Sequence, residues 1–487
     1  MKSCSSDVFD LCVVGAGIAG LNALFAATQQ LPSNARVALV DRNSAAGGMW
    51  NGVYDYVRLH QPHPMFTAGN IPWTLSQPRE YLATGQEVLA HLDHCLDTLT
   101  ARLCLTTFWR AEAIGVDERC LDGGALAQVE IAPVDDSSNG RQTLLAKRLI
   151  YAKGLDVPKL EPLRLNSKQV VSCTPESLAE LRQPARPMYV VGGGKTGVDT
   201  ALMLADRMPQ VRRTLLAGDG TLFSDRGQFF PTGWRRYLNR STNLRLSIDI
   251  SERFDGTNAK AVFEHFRSTR SIAPGSRGEK FLFGMLSADE CRRVEQSTDL
   301  IFGYLDDVVD GSQGPELRLR GGGHCPVEAG SVFINCTGHL FKGCGSEETL
   351  CSPQGTTLTI SSRAAFNFLP AISSYFLANL FLSERLEARL FYYLDLDALL
   401  AIDPKVAYAA AMTQALLNPL LALGVVQPKV LRQFGLDFDR WHPPLQRLAG
   451  LATLVRNRAR YVAHCQRSLD RVAGEYGVLC GPIAERT

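Results

Sequence analysis

The sequence predicts an α/β fold of two dinucleotide-binding, Rossmann-like domains, the second inserted into the first, with an added C-terminal helical layer. Three observations carry this. GAGIAG at Gly15–Gly20 follows an apolar strand and opens a helix. GGGKTG at Gly192–Gly197 repeats that strand–turn–helix context. From Phe366 to the end, apolar residues recur three and four apart, the spacing of amphipathic helices. The chain then divides into a first domain over 1–155, an inserted domain over 156–330, a return to the first domain over 331–380 and a helical region over 381–487.

In chain order, Phe9–Val14 reads as a strand, Leu21–Leu31 as a helix and Arg36–Val40 as the second strand, ended by Asp41. Residues 50–110 are rich in Pro, His and aromatics and turn helical over Gln86–Thr100. Residues 110–150 read as hairpins, with turn chemistry at Asp122–Gly124 and Ser137–Gly140. Pro187–Val191, Val198–Met208 and Arg213–Ala217 form the second strand–helix–strand unit. A mixed insertion over 220–330 follows, then an apolar strand, Ser331–Cys336, leading into Thr337–His339. The charge-free stretch Val406–Pro428 is long enough to span a bilayer, but Thr413, Gln414, Asn418 and Pro419 argue for a buried helix pair broken near Pro419. No membrane span is expected.

The 51 basic and 49 acidic side chains are nearly balanced and form no long run of either sign. This argues against a nucleic-acid binder or a polybasic membrane-surface protein, which need a concentrated footprint. A hydrophobic content of 45% fits a globular chain. None of the 13 cysteines sits in a CxxC pair, and the N-terminus does not read as a secretory signal, so a cytoplasmic protein with reduced thiols is expected. His91 and His94 lie three apart, with no further ligand group converging on them in sequence.

The glycine turns state their chemistry. Gly15 permits the tight turn, Gly17 lets the backbone approach a pyrophosphate, and Gly20 lets helix and strand pack closely. Asp41 is placed to accept hydrogen bonds from a ribose hydroxyl pair. In the second turn, Gly192, Gly194 and Gly197 take the same roles, and Lys195 and Thr196 at the helix start suit a nicotinamide pyrophosphate. Asp219 beyond the next strand leans toward NADH, while Arg226, Arg235 and Arg236 lie within reach of a 2′-phosphate and keep NADPH open. Tyr189 stands where a P-loop needs glycine, which excludes that motif. Two such units in one chain point to a flavoprotein: FAD on the first turn, and NADPH or NADH on the second as hydride donor.

At this level the sequence resembles the flavin-containing monooxygenase superfamily. GGMW at Gly47–Trp50 is similar to its GGxW segment, and Tyr54–His63 with Ile71–Trp73 is similar to the corresponding stretch of YUCCA-type plant monooxygenases. Ile150–Leu160 resembles the ATG linker, Gly192–Asp199 the nicotinamide motif and Phe333–His339 the late strand; together these cover roughly residues 7–345. Thr221–Pro231 is loosely similar to a segment of ornithine and lysine N-hydroxylases. The resemblance implies that Arg42, Gly48, Trp50, Thr337 and Gly338 help hold cofactor, with Trp50 packing on the flavin, and that Arg58 faces a flavin phosphate or a surface carboxylate.

It further implies an NAD(P)H-driven monooxygenase that forms a flavin C4a-hydroperoxide and transfers one oxygen atom from O2 to a small organic substrate at nitrogen, sulfur or a carbonyl carbon. His60 is the candidate catalytic residue beside the reacting edge of the flavin. The chain departs from the family fingerprint at Ser172, Cys173 and Glu176, and Lys153 replaces the Thr of ATG. These departures keep open an FAD-dependent dehydrogenase or oxidase with a vestigial nicotinamide site, and a non-catalytic flavin-binding partner protein. The apolar C-terminal helices leave room for a homodimer.

Overall fold

The computed structural model describes residues 8–121, 124–135, 140–154, 159–180, 186–238, 242–338, 350–361, 366–367, 369–387 and 390–483. The expected turns at Asp122–Gly124 and Ser137–Gly140, the middle of the Ile150–Leu160 linker, and His339 lie wholly or partly outside them.

Leu11–Val14 is buried at all four positions, as a central parallel strand must be. It lies in a five-stranded parallel sheet, in the order Thr357–Ser361, Leu149–Gly154, Leu11–Val14, Arg36–Asp41, Cys104–Trp109. Helix α1 (Ile18–Gln30) packs on one face. The other face is covered by an antiparallel meander of Ala111–Leu121, Gly124–Pro133 and Gln142–Ala146, which sets Val129 and Ile131 against Cys12 and Val14. The helix expected over Gln86–Thr100 runs from Gly85 to Thr100 and starts with a capping box: Glu87 N–H donates to Thr84 Oγ1 and Thr84 N–H to Glu87 Oε2.

The second unit repeats the plan. Its parallel sheet runs Asp299–Ile301, Arg213–Leu216, Met188–Val191, Val332–Asn335, Val171–Cys173. Helix α2 (Lys195–Arg207) covers one face. Here a domain boundary moves. The strand expected to return the chain to the first domain, within Ser331–Cys336, pairs with Met188–Val191 of the second sheet; the first sheet is re-entered only at Thr357–Ser361. An apolar strand shows that it wants a buried neighbour, not which sheet supplies it.

The C-terminal helices serve both cores, and the break expected near Pro419 is not there. Helix α3 (Pro370–Leu382) packs on α1 in the first core. Helix α4 (Pro404–Ala422) runs through Pro419 without a break and stops within one turn of it. Its polar residues carry backbone: Gln414 Nε2 and Asn418 Nδ2 donate to Tyr392 O, and Asn418 Oδ1 accepts from Tyr392 N–H. Helix α5 (Pro444–Tyr476) and α4 bury a common core with the inserted residues 243–286, so the helical layer is built jointly by the insertion and the C-terminus. Among the described residues, no helix is long and apolar enough to cross a membrane.

Candidate active site

At the first turn Gly15 adopts φ +102°, and a Cβ there would lie 2.4 Å from Ala152 O. A Cβ at Gly20 would lie 1.7 Å from Gly15 O, so only glycine lets α1 close on its strand. Gly17 is the N-cap of α1; no side chain caps the helix and no acid stands in its first turn. The helix dipole and first-turn N–H groups are thus left for an anion. Gly47 and Gly48 complete the cradle: Gly47 N–H donates to Ala16 O at 3.0 Å, and Gly48 Cα comes within 3.3 Å of a Cβ placed on Gly17. Asp41 is buried beside it; Oδ2 accepts from Ala16 N–H at 2.6 Å and Oδ1 from Asn43. Oδ2 has one further lone pair for a ribose hydroxyl. These residues fit a dinucleotide. Trp50 is half-buried, edge-on to Phe66 at 5.8 Å, and Arg42 is exposed at the strand end. Arg58 donates to Leu82 O at 2.9 Å and lies over the Tyr81 ring, which ties it to that loop rather than to the glycine turn.

The second turn has the same geometry. Gly192 adopts φ +121° with Cys336 O at 2.5 Å from its would-be Cβ, and a Cβ at Gly197 would lie 1.8 Å from Gly192 O. Gly194 caps α2 without a side chain, again leaving the helix start for an anion. The cradle fits a pyrophosphate. Thr337 N lies 3.3 Å from the Gly192 Cβ position, so Thr337 and Gly338, expected in the first domain, stand at this second turn. The cause is the strand before them, which pairs with Met188–Val191.

Lys195 is turned away from the turn. Its ammonium pairs with Asp199 one helical turn on, and both side chains are about nine-tenths buried. Burial raises the Asp199 carboxyl in spite of Lys195. Asp219 accepts from Tyr304 Oη at 2.7 Å, and Lys280 Nζ lies 4.0 Å away; neither partner was identifiable from the sequence. The arginines expected near a 2′-phosphate are elsewhere. Arg226 pairs with Glu290 at 2.7 Å, and Arg236 donates to Trp441 O. Arg235 is exposed.

Between the turns, the Tyr54–His60 segment of the first domain lies on α2. Tyr54 is buried beside Thr196 and Asp199, Tyr56 Oη lies 2.8 Å from Thr200 Oγ1, and Asp55 pairs with Arg207. Burial is the main cause raising both phenols, so they are neutral contacts. Arg226 Nε donates to His60 O at 2.7 Å. Desolvation, then the charges of Lys195 and Arg226, push the His60 imidazole down to about 3. His60 is therefore neutral near pH 7, with one N–H to donate and one lone pair to accept. Burial works to raise the Glu290 carboxyl, but Arg226 and Lys195 outweigh it and hold it at about 2.

Glu290 and Asp199 stand in the site without having been among its expected residues. Ser287–Glu290 is a capping box and Lys195–Asp199 an i,i+4 pair, so both had a local signal. Of the family departures, Ser172 Oγ donates to Phe333 O and accepts from Leu163 N–H, and Lys153 lies over the Tyr151 ring. Burial pushes the Cys173 and Cys336 thiols up to about 11 and about 12, a sign of inert sulfur. His91 stacks on Trp73 at 3.9 Å and bonds Thr67, a packing role.

The chain is similar to several known proteins. Residues 9–228, just under half of the chain, match the family model described as pyridine nucleotide-disulphide oxidoreductase. Uncharacterised proteins of Mycobacterium tuberculosis and Mycobacterium bovis are 26% identical over 351 residues, 67% of this chain; the chain spans 60% of the length of these relatives. Similar solved structures include an ornithine hydroxylase from Pseudomonas aeruginosa (11% identity, 78% of this chain, 98% of that one, TM-score 0.47). They also include an open form of cyclohexanone monooxygenase (13%, 93% and 98%, TM-score 0.49). A third is a cadaverine monooxygenase from Erwinia amylovora (12%, 78% and 94%, TM-score 0.48). The match to the pyridine nucleotide-disulphide oxidoreductase model spans both glycine turns, Gly15–Gly20 and Gly192–Gly197.

Proposed function

We propose that the protein is an FAD-dependent, NAD(P)H-driven monooxygenase acting on a small organic substrate with O2. The observation that carries this reading is the junction: the segment that ends at His60 lies on α2 through Tyr56 and is held by Arg226, in a chain with two cradles that each fit a dinucleotide. FAD bound at the first turn would supply the redox chemistry and oxygen activation, and NAD(P)H at the second the hydride.

The chain's own residues do the rest. The α1 and α2 N-termini bind pyrophosphates, and Trp50 walls the first site. Tyr54, Tyr56 and the Arg226–Glu290 pair fix the segment that carries His60 and close the junction to water. His60 donates one hydrogen bond to the substrate or its oxygen partner and accepts one. Among the described residues the cysteines form no disulfide, and burial pushes the neighbouring Cys173 and Cys336 thiols up to about 11 and about 12, which does not favour the thiol exchange that the family description names.

The test is NADPH- and NADH-driven turnover of an amine, a thioether and a ketone panel under isotopically labelled dioxygen. One labelled atom per product supports the reading; consumption of reductant with no label in any product contradicts it. His60→Ala is expected to divert reducing equivalents to hydrogen peroxide.

A second reading has its own observation. Lys195 and Asp219, the side chains expected to hold the nicotinamide nucleotide, are engaged by Asp199 and Tyr304. This favours an FAD-dependent dehydrogenase or oxidase that uses the second unit as scaffold, and it predicts a flavin reduced by substrate but not by NAD(P)H.

A further inference from the structure

The most apolar exposed region of the described surface is assembled from two segments about 200 residues apart. Trp234, beside the short Arg235–Leu238 helix, and Tyr237 and Leu238 within it are 66–68% exposed. Leu445, Leu448, Leu451 and Val455 are 47–81% exposed and share one face of the first turns of α5. Gln446 Nε2 donates to Tyr237 O at 2.9 Å, which sets the two elements side by side. The opposite face of α5 is satisfied: Leu454 and Tyr461 are buried, and Gly450 lies against Thr242 and Leu244. Among the described residues nothing calls for leucine on the outer face, and a solvated face would carry polar residues there.

Charge says what covers it. No acidic residue occurs between Asp225 and Asp249, nor between Asp439 and Asp470, and the two stretches together hold eleven arginines, of which Arg226, Arg447 and Arg460 are paired with acids from outside them. Arg235 and Arg456 are exposed beside the apolar residues. Nearby acids are neutralised in pairs, Asp437 with Arg447 and Glu252 with Arg460. A second copy of the same face would set arginine against arginine. Leucine, tryptophan and tyrosine rimmed by arginine are what an anionic lipid surface accepts, the rings at headgroup level and the guanidinium groups reaching phosphate.

We propose that this face docks the protein on an anionic membrane surface, with α5 and the Arg235–Leu238 helix lying in the interfacial plane. The balanced composition hides the footprint because only the fold brings the two arginine-rich stretches together. Docking would also set the candidate site close to the lipid. Trp441, gripped by Arg236, packs at 5.7 Å on Phe230, which shares a buried cluster with Met65, and the short helix just before Phe230 begins with Arg226, the residue that holds His60 O.

The test is co-sedimentation of the full chain with vesicles of phosphatidylcholine alone and of phosphatidylcholine with roughly one-third phosphatidylserine. The readout needs neither flavin nor turnover. Binding is expected on the anionic vesicles, weakened by high salt. It should fall at least tenfold in the double variant Leu445→Glu, Leu448→Glu, and about fivefold for each of Arg235→Gln and Arg456→Gln. All of these residues are exposed, so an unchanged melting curve certifies each variant's fold. Absence of binding to both vesicles, or binding the variants leave unchanged, overturns the proposal. A concentration-dependent dimer dissolved by the leucine variant also overturns it, in favour of a second copy.

Discussion

Gly20 and Gly197 hold equivalent places: a Cβ on either would meet the carbonyl of the first glycine of its own turn, at 1.7 and 1.8 Å. Gly17 and Gly194 both cap their helices without a side chain. The two turns diverge in what surrounds them. At the first, the acid at the strand end lies on the turn itself, through Ala16 N–H. At the second, the acid is held by Tyr304 with Lys280 nearby, and the lysine at the helix start is buried against Asp199. The motif fixes a phosphate cradle. Which nucleotide enters it, and with what affinity, is set by residues from elsewhere in the chain.

The sharpest way to break this comparison is at the glycines. Gly20→Ala should cost upward of about 4 kcal/mol, because backbone meets backbone and neither can yield, and the protein should lose flavin on purification. Gly194→Ala has only Leu282 Cδ1 at 3.7 Å from the new Cβ, so it should fold and bind flavin while raising the KM for the nicotinamide nucleotide. The equivalent variant at the first turn, Gly17→Ala, brings its Cβ within 3.3 Å of Gly48 Cα and should weaken flavin binding. Identical effects of Gly17→Ala and Gly194→Ala on flavin and nicotinamide binding would erase the difference between the turns. Next in size is Glu290→Gln, which leaves Arg226 buried without its counter-charge; a loss of about 3 kcal/mol in chemical denaturation is expected.

A pH prediction follows from histidines held neutral. Burial pushes His91 down to about 3 and His442 to about 4. The unfolded chain binds protons at these residues below about pH 6.5 and the folded chain does not, so stability falls as pH drops from about 6.5 toward 4. The slope approaches about 1.4 kcal/mol per pH unit for each group, and His442→Leu should flatten it in urea titrations at several pH values. Smallest is Tyr304→Phe, which frees Asp219 and should shift the NADH-to-NADPH preference about fivefold, the worth of one hydrogen bond of about 1 kcal/mol.

Local features of this molecule were legible and long-range ones were not. Each glycine turn needs only a strand before it and a helix after it, so Gly15–Gly20 and Gly192–Gly197 stand where expected. The strand after Ser331 was visible as apolar, but its pairing with Met188–Val191 depends on a neighbour more than 140 residues away. Thr337 and Gly338 moved with it. Lys195 was assigned to the pyrophosphate because its position on the helix suits one, whereas burial rewards the partner four residues on. Pro419 looks like a break, but α4 needs only one more turn beyond it. The joint core of the insertion and C-terminus has no sequence signature, because each face is merely amphipathic until the other covers it.

The central claim is that the two turns hold two different cofactors in redox contact across the His60 junction. Its most direct test is the absorbance spectrum of the purified protein under nitrogen as NADPH or NADH is added. The account predicts a bound flavin that bleaches with one of the nucleotides and regains its colour in air, with bleaching slowed in Gly194→Ala. A flavin that neither nucleotide reduces would contradict it and leave the second turn as scaffold.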